Sequence, residues 1–504
     1  MTRGGLEPRL RVMRDVPEDP GGAYVLYWMT ASRRLEWNFA LDRAVARAQA
    51  LNKPLVILEA LRAGYRWASD RHHAFVLAGM EEHRRRLREN PVAYHAYVEP
   101  EPGAGRGLLE ALAEHACLTV TDDAPVFFLP RMLAAAAERV PTRLEAVDSC
   151  GLLPLSLHEK PFSSAYHFRR FLQKHLGPQL SELPDPDPLS GAELVRGTIP
   201  DRVSERWPEA SSELLMGSPE ALATLPIDHA VQPSAIRGGP SAGRARLGEF
   251  LGDGLDRYAE QRNDPDGNAT SGLSPWLHFG HVSPHEVFRR VAERESWSPA
   301  RLGSDASGKR KGWWGMSESA EAFLDEFVTW RELGFGFCRT VADYDRYETL
   351  PEWARDTLAD HASDPSPWTY GFEEFHQART HDEVWNAAQR QLLSEGVIHN
   401  YLRMLWGKKI LEWSATPREA LETMIELNNR YALDGRDPNS YSGIMWIMGR
   451  FDRGWPERPV FGKVRSMSSD ATRRKVSLDR YLERWGDQAE LDLFTTSGRD
   501  ADRG

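Results

Sequence analysis

The apolar period of this sequence changes part-way along the chain, and that change limits the possible folds more than any other feature. Residues 21 to about 150 alternate short apolar runs with amphipathic stretches. AYVLYWM (23–29), PLVILEA (54–60), VAYHAYV (92–98), CLTVT (117–121) and RLEAVDS (143–149) read as buried strands. EWNFALDRAVARAQAL (36–51), a stretch from Asp70 to about Asn90, one from about Gly107 and one near Met132 read as helices. Alternation of this kind implies a parallel sheet covered by helices on both faces. Residues 21–177 are therefore expected to form a Rossmann-like α/β domain around a five-stranded parallel sheet. From about 246 to 486 the two-residue period disappears and helical signals take over. Ser274-Pro275, Ser283-Pro284 and Thr416-Pro417 each place a capping hydroxyl before a first-turn proline, and Glu286 and Glu419 complete two capping boxes. A second, all-α domain is expected over 246–486. Pro-, Gly- and Ser-rich text over 178–245 reads as a connector, and 1–20 and 487–504 read as polar tails.

A chain of 504 residues can bury full cores without disulfides or metals. No stretch approaches 18 uninterrupted apolar residues, so no membrane span is expected. The N-terminus MTRGGLEPRL has no apolar signal core, which makes the cytoplasm the expected location. Cys117, Cys150 and Cys338 fit no zinc or CxxC spacing and read as free thiols. The net charge of −11 argues against generic nucleic-acid binding. Residues 455–485 nevertheless hold eight Lys/Arg (Arg458, Lys463, Arg465, Arg473, Arg474, Lys475, Arg480, Arg484) against four acids, a local +4.

Several motifs need a plain structural reading beside the chemical one. GAGRG (103–107) follows a strand, but its spacing is not that of a dinucleotide loop, and a flexible loop is the better reading. LDGRDPNS (433–440) has Met445 where a calcium loop needs a bidentate Glu, so it reads as a loop that caps helices or meets a ligand. His72, His73, His278 and His281 have no partners at metal-ligand spacing and read as ordinary polar or core histidines. Lys309, Arg310 and Lys311, beside Trp313-Trp314, read equally as a solvated loop or a phosphate contact. In ATSGLSPWLHFG (269–280), small hydroxyl residues precede a helix start, where an anion such as a diphosphate can bind. The same residues also suit a plain capped helix.

Tryptophan is the odd part of the composition: 17 in all, 13 of them after position 270. Trp406 and Trp413 lie seven apart on one expected helix, so their indoles share a face about 10 Å apart along the axis. A helix hairpin would bring Trp385 near them. Core packing accounts for such a group, and so does a path for single electrons.

The run from Trp385 to Met467, with the phrases WNAAQ, RMLWGKKILEW, LNNRYALDGRDPNSYSGIMW and RPVFGKVRSM, resembles the cofactor domain of class II cyclobutane pyrimidine dimer photolyases, in the photolyase/cryptochrome family. TSGLSPWLHFG, EAFLDEFVTWREL and YWMTASRRLEWNFAL belong to the same pattern, which spans about residues 23 to 475 in the family's order. The segment SDASGKRKGWWG (304–315) looks like an insertion, and IMGRFDRGW (447–455), which carries Arg453, looks one residue short.

The resemblance implies an FAD-binding helical domain that repairs dimers under light. Thr270, Ser271, Gly272, Leu273 and Ser274 would hold the FAD phosphates, with Tyr258 on the same cofactor. Arg403 and Asp434 would pair beside the flavin ring, and Asn428 would face flavin N5, where an amide can donate or accept. Trp385, Trp406 and Trp413 would form an electron chain. Glu326, Trp330, Met404, Trp446, Arg453 and Arg465 would meet the lesion and its DNA. The implied partner is damaged double-stranded DNA, bound by a monomer that needs no obligate protein partner or metal. An antenna chromophore such as 8-hydroxy-deazaflavin is allowed in the α/β domain, although no local motif demands it. A cryptochrome-like photosensor without repair is the alternative. A nucleotide-binding adenylyl transferase is disfavoured, because the first domain lacks a phosphate loop.

Overall fold

The computed structural model describes residues 6–487. The tail expected at 487–504 lies outside the described residues apart from Asp487. Six strands form one sheet: β1 (Leu10–Arg14), β2 (Tyr24–Met29), β3 (Leu55–Leu61), β4 (Ala93–Val98), β5 (Ala116–Asp122) and β6 (Leu144–Val147). Their order is β1-β6-β5-β2-β3-β4. All neighbours are parallel except β1, which runs antiparallel to β6 with Leu10 opposite Val147. Helices α1 (Phe39–Leu51), α2 (Asp70–Leu87), α3 (Leu108–Ala113) and α4 (Leu129–Arg139) make the crossovers. Strand β2 is buried at every position, which explains its unbroken apolar text. Asn38 and Ser69 start α1 and α2 by accepting backbone N–H bonds of the first turn.

The sheet thus has six strands rather than the five expected. The extra strand comes from the segment read as an N-terminal tail. Its side chains are only half-buried or exposed, and an edge strand needs one partner, so it carries no apolar run. The connector also does more than link. Gly197 and Ala210 donate N–H bonds to the carbonyls of Pro91 and Ala96, so the segment covers the outer edge at β4, and Trp207 fills the core beside the sheet.

The second unit is helical, and no helix among the described residues is long and apolar enough to cross a membrane. Helices Glu383–Glu395 and Asn400–Trp413 form a hairpin, followed by Pro417–Tyr431 and Pro438–Ile447. The helix that begins at Glu318 and runs to Thr340 is interrupted by a π turn over Asp325–Trp330, and a second π turn lies at Phe250–Gly254. Ser283 and Thr416 cap their helices as expected. Among the described hydrogen bonds, neither Glu286 nor Glu419 completes the expected box.

Arg71 on α2 locks the two units together. Its guanidinium donates to Leu392 O (3.1 Å), Leu393 O (2.7 Å), Ser394 O (3.1 Å), Tyr431 O (2.9 Å) and Gln232 O (3.0 Å). Four of these carbonyls end the helices that carry Trp385 and Asn428. Burial pushes the Arg71 pKa down to about 10. The left-handed Gly396 (φ +73) lets it approach, since a Cβ there would sit 3.1 Å from Arg71 Cδ.

His281 is buried where the two units meet, and its Nδ1 accepts the Gly239 N–H at 3.0 Å. Burial, reinforced by His83, holds its pKa down to about 3 from 6.5. The unfolded chain takes up a proton below about pH 6.5 and the folded ring does not, so stability falls as the pH drops from there toward 3. His281→Asn, which keeps an acceptor, should flatten this limb. At about pH 4.5 it should recover roughly 2–3 kcal/mol of the acid-induced loss in urea titrations.

Candidate functional site

The helical unit contains a cavity of ≈ 1370 Å³. One wall is the segment 270–274. Arg246, which also borders the cavity, braces this wall, donating to Ser271 O (2.8 Å) and Thr270 O (2.7 Å). Gly272 makes the turn at φ +62, and a Cβ there would lie 3.0 Å from Arg246 Nε. Among the described residues, the N–H groups of Thr270, Ser271 and Gly272 meet no protein acceptor, so they are available to an anion. The expected cap at Ser274 does not form: Leu273 holds the N-cap position, and the Ser274 hydroxyl bonds Asp434 instead. Competition from a buried carboxylate explains the difference.

A second wall combines Arg403, Asn428 and Asp434. Arg403 and Asp434 form a bidentate pair at 3.2 and 2.9 Å. Burial alone would raise the Asp434 pKa, but the Arg403 charge and hydrogen bonds, with Ser274 and His278, hold it below its usual value. The carboxylate therefore stays ionised. Arg403 Nε is buried without a partner, as are both ring nitrogens of the neighbouring His399. Asn428 is buried beside the cavity, and its amide makes only a long 3.4 Å bond to Asn429. Its remaining polar capacity is open to a ligand. These orphaned donors, the open amides and the volume fit a large anionic, heteroaromatic cofactor such as FAD.

The opposite side is aromatic and acidic. The π turn carries Glu326 and Trp330 to the cavity, which Met404 and Trp446 also border. Glu326 is met by Arg262 at 2.6 Å. Its pKa is raised, by burial first and by Asp325 against the opposing pull of Arg262. Lys408, fully buried, donates to Ile447 O at 2.6 Å and lies 5.0 Å from the Trp446 ring. Burial pushes the Lys408 pKa down to about 7. Arg465 stands between Trp446 (5.9 Å) and Trp455 (4.8 Å), and Arg453 stacks on Trp455 at the rim.

Of Trp385, Trp406 and Trp413, Trp406 borders the cavity. Trp385 stacks on it at 6.5 Å with ring planes 4° apart and donates its indole N–H to Trp406 O. Trp413 follows at 6.3 Å from Trp385. The hairpin thus inserts Trp385 between the two indoles that share a helix. Tyr258, Thr270, Ser271, Gly272, Leu273, Ser274, Glu326, Trp330, Arg403, Met404, Trp406, Asn428, Asp434, Trp446, Arg453 and Arg465 all border the one cavity. Sequence reasoning missed Arg246, Arg262, Lys408 and His399. Arg262 lies one helical turn after Tyr258, which is the only signal that could have found it.

A second cavity of ≈ 980 Å³ opens between the sheet's helices and the helical unit, beside Trp28, Tyr65, Tyr97, Phe127 and Phe128. GAGRG borders it, but Glu99 accepts from Gly103 N (2.8 Å) and Gly105 N (3.4 Å), so a carboxylate occupies the place a phosphate would need. Asp437 caps the helix Pro438–Ile447, and no metal-type cluster occurs among the described residues.

The pairing of Arg262 with Glu326 is partly exposed. A double-mutant cycle of Arg262→Met and Glu326→Gln in urea should return a coupling of about 1 kcal/mol or less, falling with added salt. A larger, salt-independent value would contradict the solvent access of this pair.

No protein-family model matches the chain. The deoxyribodipyrimidine photo-lyase of Methanothermobacter thermautotrophicus is 34% identical over 480 residues, 94% of this chain and 97% of that protein. The enzyme of the same name from Oryza sativa subsp. japonica is 35% identical, over 94% of this chain and 89% of its own length. In fold, the chain matches a crystal structure of a bacterial class III photolyase from Agrobacterium tumefaciens with TM-score 0.66 at 16% identity, over 92% of this chain and 86% of that one. Relatives this similar over most of their length show that the chain belongs to the deoxyribodipyrimidine photo-lyases of the photolyase/cryptochrome family.

Proposed function

We propose that this protein is a class II photolyase, which uses light to split cyclobutane pyrimidine dimers in double-stranded DNA. The observation that carries this reading is the meeting, in one cavity, of an anion-ready loop, a fixed Arg403–Asp434 pair with Asn428, and a Trp330–Trp446–Glu326 face. Bound FAD, in its reduced form, supplies an electron donor that light can excite. The N–H groups of 270–272 would hold its phosphates, and Ser274 is kept in place by Asp434. Arg403 would set a positive charge beside the bound ring system, and Asn428 would offer it a donor or an acceptor as required.

The lesion reaches this cavity only by leaving the duplex, and a covalent dimer is already poorly stacked, so its extrusion costs less than that of an intact pair. Trp330 and Trp446 wall the flipped bases, and Lys408 Nζ lies 5.0 Å from the Trp446 ring. Glu326 hydrogen-bonds a pyrimidine edge once Arg262 gives way. Arg465, already held between two indoles, enters the gap in the duplex. The basic stretch 455–485 and Arg310, which borders the same cavity, bind phosphates despite the acidic total. The lesion walls favour repair over a cryptochrome-like sensor, which needs none. The ≈ 980 Å³ cavity, lined by aromatic rings, takes an antenna such as 8-hydroxy-deazaflavin.

Purified protein should show flavin absorption and repair dimers under blue or near-ultraviolet light only. Repair in darkness would end the proposal. Trp406→Phe and Trp413→Phe should fail to photoreduce the cofactor, yet repair normally after chemical reduction. Trp446→Ala should photoreduce normally and lose about 1–3 kcal/mol of lesion affinity. Arg474→Gln with Lys475→Gln should weaken damaged and undamaged DNA alike and lower the salt slope by about 1 for each phosphate no longer neutralised.

A further inference from the structure

The aromatic column does not stop at Trp413. The Trp413 ring lies 4.8 Å from His381 and 5.8 Å from Tyr370. Beyond both rings stands Trp368, which stacks on His381 at 4.3 Å with planes 16° apart, and lies parallel to Tyr370 at 6.5 Å. Trp368 is 46% exposed, whereas Trp385, Trp406 and Trp413 are 0%, 1% and 2% exposed. The outer group is held in place. The Tyr370 hydroxyl and His381 Nδ1 share a hydrogen bond of 2.9 Å, and the His381 backbone N–H donates to the same hydroxyl at 3.0 Å. Tyr370 N donates to Trp413 O at 2.9 Å, and Ser366 Oγ to Trp368 O at 2.7 Å. A lone exposed indole needs no explanation, but one stacked on anchored rings that themselves touch a buried tryptophan group does.

Charge supplies a direction. An electron vacancy makes an indole cationic, and a buried cation without a partner is costly, whereas an exposed one is solvated. Lys409 Nζ lies 5.0 Å from the Trp413 ring and adds repulsion to a vacancy there, moderated by its own pairing with Glu412 at 2.7 Å. Both effects drive the vacancy outward.

We propose that Trp368 is the outermost electron donor of this protein, reached from Trp413 across the rings of His381 and Tyr370. The inference rests on the reading of Trp406, Trp385 and Trp413 as an electron relay. One electron leaves the Trp368 indole and fills the vacancy on Trp413, which returns to its neutral form. Trp368 is thereby oxidised to an indole cation radical and releases its N–H proton to water. A soluble thiol, as one-electron reductant, then restores the indole, and a proton returns from solvent.

The test compares the flavin-loaded wild type with Trp368→Phe, Trp368→Tyr and Trp413→Phe. Each is illuminated with a water-soluble nitroso spin trap and its peptides are mapped by mass spectrometry, while transient absorption follows the indole signal. The wild type should carry the trap on Trp368. Trp368→Phe should lose both the adduct and the long-lived signal, and Trp368→Tyr, which remains oxidisable, should restore a long-lived signal on the tyrosine. Trp413→Phe should abolish adduct and photoreduction together. An unaltered signal lifetime in Trp368→Phe, with Trp413→Phe inactive, overturns the role of Trp368 and leaves the inner relay standing. Normal photoreduction in Trp413→Phe overturns the relay reading itself. Lowered DNA affinity of Trp368→Phe with unaltered transients would mark the ring as a contact surface and would also overturn the proposal.

Discussion

The site depends on the position of one guanidinium. Arg71 stands on a helix of the α/β unit and satisfies carbonyls at the ends of two helices of the other unit. Leu392 O also accepts the Gly396 N–H at 3.0 Å, but the last carbonyls of a helix generally lack intrahelical donors and its C-terminus carries partial negative charge, so a cation fixed there is favoured twice over. Backbone carbonyls rather than a carboxylate accept the hydrogen bonds of this guanidinium. The next residue, His72, repeats the bond across the boundary, meeting Ala432 O at 3.2 Å. The hairpin bearing the tryptophans and the helix bearing Asn428 are therefore positioned against the sheet and, through it, against each other. A cofactor cavity formed between them is as rigid as that lock.

The cavity's own electrostatics follow from unequal pairing. Asp434 has Arg403, Ser274 and His278 and remains ionised despite burial. Lys408 has a single carbonyl and an indole, and its pKa lies near neutrality, at about 7. The first wall is thus a fixed charge pair, and beside Trp446 lies a buried group whose charge depends on its surroundings. Closing the cavity would remove water from the first, whereas Lys408 is already fully buried with one carbonyl acceptor.

Much of this was legible in the sequence, for physical reasons. Strands β2 to β6 are largely buried on both faces, so they appear as apolar runs; β1 lies at the edge, half-buried with two arginines, and reads as a tail. The expected residues that border the cavity came from resemblance, because most of them, Tyr258 apart, sit in distinctive phrases. What escaped depends on approach in space. Arg262 meets Glu326 across 64 residues, and Arg246 braces carbonyls 24 and 25 residues away. No local pattern records such meetings. The cap expected at Ser274 failed for the same reason, since a local rule cannot see Asp434.

The π turn at Asp325–Trp330 has a further consequence. Such a turn is an α-helix with one surplus residue, and one residue rotates the register by about 100°. The flanking stretches Glu318–Leu324 and Arg331–Thr340 both keep their apolar faces in the core, so the surplus is absorbed entirely where Glu326 and Trp330 stand. The facing of these two side chains is therefore encoded by chain length rather than by residue identity. Substitutions can alter what they touch, but only a one-residue deletion or insertion would re-aim them while leaving the helices on either side seated as before.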